Sequence, residues 1–398
     1  MIQRQDYLNS LISFKDKKLI KVVTGIRRCG KSTLFELFQD YLRSEGIADE
    51  QILSINLEEG EYYDIESYKQ LYDFVANKLV TDKRMYIFID EVQRVTDFQK
   101  AVDSLYVKKN CDVYITGSNA YLLSGELATL LSGRYIEIKM LPLSFKEYVS
   151  NFPKDANLER LYVNYIQNSA FPYALEILKS KDRRQYLQAI YDIIVLKDII
   201  ARKKFPNTAM LKSITRFLFD NIGNLCSTKS IADTMTSAGR KISVHTVESY
   251  LTSLTDCFIL YQIGRYDIKG KQYLKTGDKY YAVDIGLRYA LLGTKKTDMR
   301  HILENIVFLE LTRRGYEIYI GKVGNKEVDF IAVGDEGEEY YQVAYSVIDS
   351  DGTTLRRELA PLEGINDHNP KFLLTMDNTP LTSHNGIKQI NVLDWLLK

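Results

Sequence analysis

At 398 residues the chain is too long for one ordinary core, and its 45% hydrophobic and 26% charged residues give a globular balance that excludes a low-complexity class. Lysine and arginine (53) offset aspartate and glutamate (52), so the net charge of +1 excludes a whole-surface field for polyanions and any nucleic-acid footprint must be local. No apolar run approaches the roughly 18 residues of a membrane span, the N-terminus lacks a secretory core, and the four cysteines show neither C-x-x-C nor zinc spacing. A cytoplasmic location with no membrane partner is therefore expected.

In chain order, the run 19–24 reads as a buried strand, and residues 32–38 read as the start of a helix. Between them Gly25, Ile26, Arg27, Arg28, Cys29, Gly30, Lys31 and Ser32, followed by Thr33, spell G-x-x-x-x-G-K-[ST]. Glycines at these positions let successive N–H groups turn toward a polyphosphate, and the helix start adds partial positive charge. Lys31 would then reach the β- and γ-phosphates, and the Ser32 hydroxyl would ligate Mg²⁺.

Further strands are expected at 51–57, 85–90, 111–117 and 135–140, with helices between, which predicts a mostly parallel α/β sheet through residue 145. Ligands in such sheets bind at the carboxyl ends of strands. The strand 85–90 closes in Asp90 and Glu91, placing one acid to hold Mg²⁺ and the next to deprotonate an attacking water. Asn119, at the end of the following strand, is either a hydrogen-bonding sensor of hydrolysis or a turn-forming residue. Arg134 either stabilises transferred charge, in cis or from a neighbouring subunit of a homo-oligomer, or is a surface residue at a strand start.

The segments 25–33, Ile87–Val92, Gly117–Asn119 and Gly133–Phe145 together resemble a family of prokaryotic AAA+-type ATPases with a C-terminal domain of unknown function. The likeness runs through nearly the whole chain. It implies an AAA+ core with Lys31 and Ser32 in the phosphate loop, Asp90 and Glu91 as the second motif, Asn119 as sensor, and ATP with Mg²⁺ as the ligands. No Asn-Lys-x-Asp guanine-reading segment is present.

Residues 146–206 read as a helical lid or linker with two basic clusters, Lys179, Lys181, Arg183 and Arg184, then Arg202, Lys203 and Lys204. These are solvated helix faces or a contact for nucleic acid or another partner. Residues 207–293 outline a winged helix: three short helices and a hairpin carrying Arg265, Lys269, Lys271 and Lys275. As a reader of double-stranded DNA, its third helix would present Ser243, His245, Thr246 and Ser249, yet it has no Arg or Lys between 242 and 254. A packing or protein-binding module is the alternative.

Residues 294–398 form a small α/β unit that resembles the PD-(D/E)XK nuclease fold, with Glu304 and Asp329 at the expected acids. Gln342 and Ala344 stand where Glu-x-Lys belongs, so a degenerate scaffold is expected unless Arg356 or Arg357 migrates into the site. The overall expectation is an ATP-hydrolysing engine that rearranges a partner, with DNA as the expected partner. An ATP-gated nuclease and a nucleotide-gated switch of negligible turnover are the alternatives.

Overall fold

The protein is described by a computed structural model covering residues 2–120, 131, 133–200, 208–293 and 299–398. Ser132, Arg202, Lys203 and Lys204 lie outside the described residues, as does the side chain of Lys275. The chain divides into two compact units, one running to Pro142 and including Asp256–Phe258, the other comprising Leu143–Thr255 and Ile259–Lys398.

The first unit contains α1 (Gln5–Phe14), β1 (Ile20–Thr24), α2 (Lys31–Ser44), β2 (Ile52–Asn56), α3 (Tyr68–Ala76), β3 (Met85–Asp90), α4 (Phe98–Val107), β4 (Cys111–Gly117) and β5 (Tyr135–Lys139). The five strands form one parallel sheet in the order β2-β3-β4-β1-β5. Every residue of β1, β3 and β4 is buried, as expected for central strands covered on both faces. The apolar core on one face gathers Val22, Ile87, Ile89, Val113 and Ile115 under Leu71, Val75, Val102 and Leu105 of α3 and α4. On the other face Phe35 and Phe38 of α2 meet Phe88, and Phe88 stacks on Tyr114.

Register fixes which residues share an edge. Thr24 aligns with Gly117 and with Lys139, and Asn56 aligns with Asp90. The residues that follow β1, β3 and β4 therefore emerge together at the carboxyl edge. Near the opposite edge Lys21 is buried in an ion pair with Asp112, which also accepts from Tyr114 Oη and the Asp16 N–H. Burial pushes the Lys21 ammonium down from its ordinary pKa, with Asp112 opposing.

The second unit begins with α5 (Phe145–Val149), α6 (Leu158–Asn168) and α7 (Ser180–Ile193), and α7 continues into a π-helical stretch, Ile194–Ile200. There follow α8 (Thr208–Asp220), β6 (Leu225–Cys226), α9 (Thr228–Ser237), α10 (Val244–Asp256), β7 (Leu260–Asp267), β8 (Gln272–Ala282) and α11 (Ile285–Leu292). Three helices and an antiparallel ribbon thus come in the order that the sequence predicts. The rest is α12 (Met299–Arg313), β9 (Glu317–Val323), β10 (Lys326–Gly334), β11 (Gly337–Val343), α13 (Thr353–Glu363), β12 (Lys371–Thr375), β13 (Thr382–His384), β14 (Ile387–Asn391) and α14 (Val392–Leu396).

One sheet runs through the ribbon and the C-terminal strands, in the order β13-β14-β12-β11-β10-β9-β7-β8-β6. The junction is a parallel pairing of β7 with β9, Arg265 opposite Ile320. The regions 207–293 and 294–398, expected as separate domains, therefore share a continuous hydrogen-bonded ladder. Helix α12 is buried from Ile302 to Leu311 without a polar face, which suits a helix enclosed on all sides.

Candidate functional site

The loop between β1 and α2 is shaped by backbone that most side chains cannot adopt. Gly25 has φ +148°, Arg28 +66° and Gly30 +105°. A Cβ on residue 25 would lie 2.1 Å from the Met140 carbonyl oxygen, so only glycine fits where the loop leaves β1. The Arg4 guanidinium, buried beside α1, clamps the loop from behind by donating to Cys29 O (2.9 Å) and Leu141 O (2.7 Å). The Cys29 thiol is enclosed, and burial pushes it up, which keeps it a protonated packing group rather than a nucleophile.

Lys31, the first residue of α2, is buried with Nζ 3.0 Å from Gly25 O and 3.3 Å from Ile26 O. It also stands 3.8 Å from Glu91 Oε1. Asp90 ends β3 and hydrogen-bonds the side chains of Ser32 and Thr116. Burial raises its pKa, and those two hydroxyls pull the other way. The Glu91 N–H donates to Thr116 Oγ1 (3.0 Å), while Glu91 itself adopts φ +54°. That sparsely populated backbone turns its carboxylate into the same pocket.

Glu91 Oε2 accepts from Ser118 Oγ (3.1 Å) and from Gln93 Nε2, and Arg27 lies 3.9 Å away. Gln93 Oε1 is buried and has no donor among the described residues, which leaves one acceptor beside the glutamate. The sequence-predicted residues Gly25, Ile26, Arg27, Gly30, Lys31, Ser32, Asp90 and Glu91 are thus brought together; Arg4, Gln93, Thr116 and Ser118 were not singled out in the sequence. Thr33 continues α2, and Arg28 is exposed at its positive φ.

Two expected residues are engaged by other partners. Asn119 is buried, and its amide donates to Cys257 Sγ at 3.5 Å. Arg134 precedes β5 at the amino edge of the sheet: its carbonyl accepts from Ile20 N (2.8 Å), and its guanidinium pairs with Asp103 and lies over the Tyr106 ring. The length of β1 (Ile20–Thr24), roughly 3.3 Å per residue, separates it from the phosphate loop, so the in-cis role expected for Arg134 is excluded by its position.

In the second unit Glu304, Asp329 and Gln342 come close together, and their neighbours differ from the expected set. Lys279 of β8 lies 2.8 Å from Glu304 and 2.6 Å from Glu327, and Tyr281 Oη donates to Glu304 at 2.7 Å. Glu358 of α13 accepts from Gln342 Nε2 at 3.0 Å, and Arg300 stands 3.7 Å from Asp329 and 3.8 Å from Glu358. The cations beside the acids are therefore Lys279 and Arg300, whereas Arg356 donates to Gly352 and Asp351 carbonyls and Arg357 reaches the far oxygen of Glu358. Among the described residues no group of three or more His, Cys, Asp or Glu is placed to hold a metal ion.

Burial, followed by the Glu304 charge, pushes the Asp329 carboxyl up to about 8. A carboxyl with a raised folded pKa binds more protons folded than unfolded between about pH 4 and about pH 8, so stability falls as pH rises through that window. Thermal melts of wild type should show this decline, and Asp329→Asn should flatten it. An equal slope in both proteins would contradict the assignment.

A family model described as an AAA domain matches residues 17–149, and one described as a domain of unknown function (DUF8612) matches residues 159–298. An uncharacterized protein of Haemophilus influenzae is 43% identical over 402 residues, covering 100% of this chain and 99% of the relative. An uncharacterized protein of Methanocaldococcus jannaschii is 29% identical, covering 94% and 85%. Among solved structures, the Walker-type ATPase PABY2304 of Pyrococcus abyssi matches with a TM-score of 0.50 at 14% identity, covering 73% of this chain and 96% of that one. This last likeness is one of fold.

Proposed function

The chain belongs to one family with its full-length Haemophilus influenzae relative and carries an AAA domain, and on that premise we infer that it is a magnesium-dependent ATPase whose turnover drives rearrangement on DNA. The observation that carries the reading is the convergence of Lys31, Ser32, Asp90 and Glu91 on one edge, with Lys31 Nζ 3.8 Å from Glu91.

The donor set suits a nucleoside triphosphate with its metal. Lys31 is held by two carbonyls of its own loop, which keeps its ammonium beside the loop backbone that would cradle the phosphates. A hydroxyl and a carboxylate, Ser32 and Asp90, are hard oxygen ligands of the kind Mg²⁺ takes, and they already touch. Bound Mg²⁺ would supply neutralisation of charge on the transferred phosphoryl group.

The chain's own residues do the rest. Lys31 binds and orients the phosphates, and the N–H groups of the loop exclude water from one side. Glu91, held by Ser118 and Gln93, accepts the proton of the attacking water, which the unpaired Gln93 Oε1 helps to orient. Thr116 ties Asp90 to the Glu91 backbone and so couples the two acids. The Asn119 amide, at the end of β4 and in contact with Cys257, is suited to report a change at that edge.

DNA enters as the partner through the basic helices and the ribbon of the second unit, with Lys269 and Lys271 exposed at its tip. Phosphate release by the full chain, in magnesium with ATP and with or without duplex DNA, tests the reading. Release above the protein-free blank is expected, together with stimulation by duplex that fades with salt. Release no faster than the blank would overturn it.

A further inference from the structure

Three surfaces of the second unit are candidates for a polyanion, and they differ in what their polar and charged groups already do. On α10 the Ser243 hydroxyl caps the Thr246 N–H (3.1 Å), Ser249 Oγ donates to His245 O (3.1 Å), and Glu248 lies on the same exposed face, 3.9 Å from His245. That face has spent its hydroxyls on its own backbone and carries an acid. On the ribbon, Lys269 and Lys271 are exposed on a turn shaped by Asp267, whose carboxylate accepts from the Lys269 and Gly270 N–H groups.

The third surface is a cleft between α7 and α8, closed at its base by Ala290 and Leu291 of α11. It encloses about 330 Å³ and is lined by Lys181, Arg184, Gln185, Gln188 and Arg216. Lys181, Arg184 and Arg216 are exposed, and none has an ion pair with a described residue. Arg184 is steadied by a single bond from Nε to Ala290 O (3.4 Å), which leaves its terminal nitrogens facing outward. The acid at the far end, Asp192, is already neutralised by Lys212 at 3.1 Å.

Arg183, expected beside these cations, is not among them. Its guanidinium turns inward onto Ala174 O, Asn168 Oδ1 and Ile177 O, where it fastens the α6–α7 connection. The four cations of the run 179–184 therefore split into one structural arginine, a pair that lines the cleft, and Lys179, which is exposed and does not line it.

We propose that the cleft between α7 and α8 grips the phosphodiester backbone of double-stranded DNA through Lys181, Arg184 and Arg216, with Gln185 donating to the same strand, while the Gln188 amide is already held by Asp192 at 3.2 Å. Two guanidinium forks suit the paired non-bridging oxygens of phosphates. From Lys181 to Gln188 the helix advances roughly 10 Å at ~1.5 Å per residue, the axial length of about three phosphate steps at ~3.4 Å each. The apolar lining is confined to Ala290 and Leu291, too little for the side-chain pockets by which an acidic peptide would be read. Contacts of this kind position the duplex and carry no base information.

The proposal rests on the DNA reading above, and the experiment separates the two. Binding of a fluorescein-labelled duplex to the full chain is followed by anisotropy between about 50 and about 200 mM salt, for three proteins. These are wild type, the cleft variant Lys181→Ala with Arg184→Ala and Arg216→Ala, and the ribbon variant Lys269→Ala with Lys271→Ala. The cleft variant should bind at least about tenfold more weakly, and its salt slope should fall by about 2.7, three phosphates at about 0.9 each. Arg184→Lys with Arg216→Lys should recover part of the affinity, and thermal melts check that every variant is folded.

Wild-type affinity in the cleft variant, with loss only in the ribbon variant, overturns the cleft and leaves DNA binding standing. No binding by wild type overturns both. Displacement of the duplex by polyglutamate at equal charge concentration would overturn the assignment in favour of an acidic protein.

Discussion

Glu91→Gln should bind ATP with magnesium as wild type does, within a few-fold, and release phosphate at least about 100-fold more slowly. The amide keeps the size of the side chain and can still accept from Ser118 Oγ, now at 3.1 Å from Glu91 Oε2. It cannot take a proton from water. Lys31→Ala supplies the contrast, because Lys31 is read as a phosphate ligand and its loss should abolish binding before chemistry is reached. Binding by calorimetry and turnover by phosphate release should therefore separate the two variants. Wild-type turnover in Glu91→Gln would remove the glutamate from the reaction; lost binding in the same variant would make it a structural partner of Lys31, 3.8 Å away.

Much of this edge was legible in the sequence, for a physical reason. Strands buried on both faces must be apolar throughout, so the runs at Ile20–Thr24, Met85–Asp90 and Cys111–Gly117 stand out, and polar residues at their ends mark the edge. Thr116 and Ser118 stand beside Asn119 at such an end, but a hydroxyl carries no signature of what it will face. Only the register of β3 against β4 brings Thr116 to Asp90. The in-cis alternative for Arg134 fails for a related reason: an arginine before a strand is at one edge or the other depending on strand direction. The parallel pairing with β1 puts it at the amino edge.

The second unit was harder to read because its decisive pairings are distant in sequence. Nothing local in 260–267 announces that β7 will pair in parallel with β9, and without that pairing the ribbon and the C-terminal strands look like separate domains. The same distance hides Lys279, which is 25 residues from the Glu304 it neutralises. A search of the helix after Gln342 looks on the wrong element. Arg183 shows the opposite limit, since adjacent basic residues on a helix point about 100° apart and need not share a face.

Gly25→Ala should weaken nucleotide binding at least about 100-fold, near 2.8 kcal/mol, although it adds a single methyl group. Two effects combine. The φ of +148° costs a non-glycine residue about 1–3 kcal/mol, and the new Cβ would meet Met140 O at 2.1 Å. The carbonyl cannot retreat freely, because the Met140 N–H donates to Thr24 O at 2.7 Å and Arg4 holds the next residue, Leu141, through its carbonyl. The loop must yield instead, which shifts Gly25 O away from Lys31 Nζ and misplaces the ammonium. Gly46→Ala separates strain from collision: it has φ +84° with nothing within 4 Å of a Cβ, so it should lose stability by about 1 kcal/mol and leave nucleotide affinity alone. Calorimetry with ATP and magnesium, alongside thermal melts, reads both proteins. Unchanged affinity in folded Gly25→Ala would show that the loop does not approach Met140 as described, and with it the cradle for the phosphates would go.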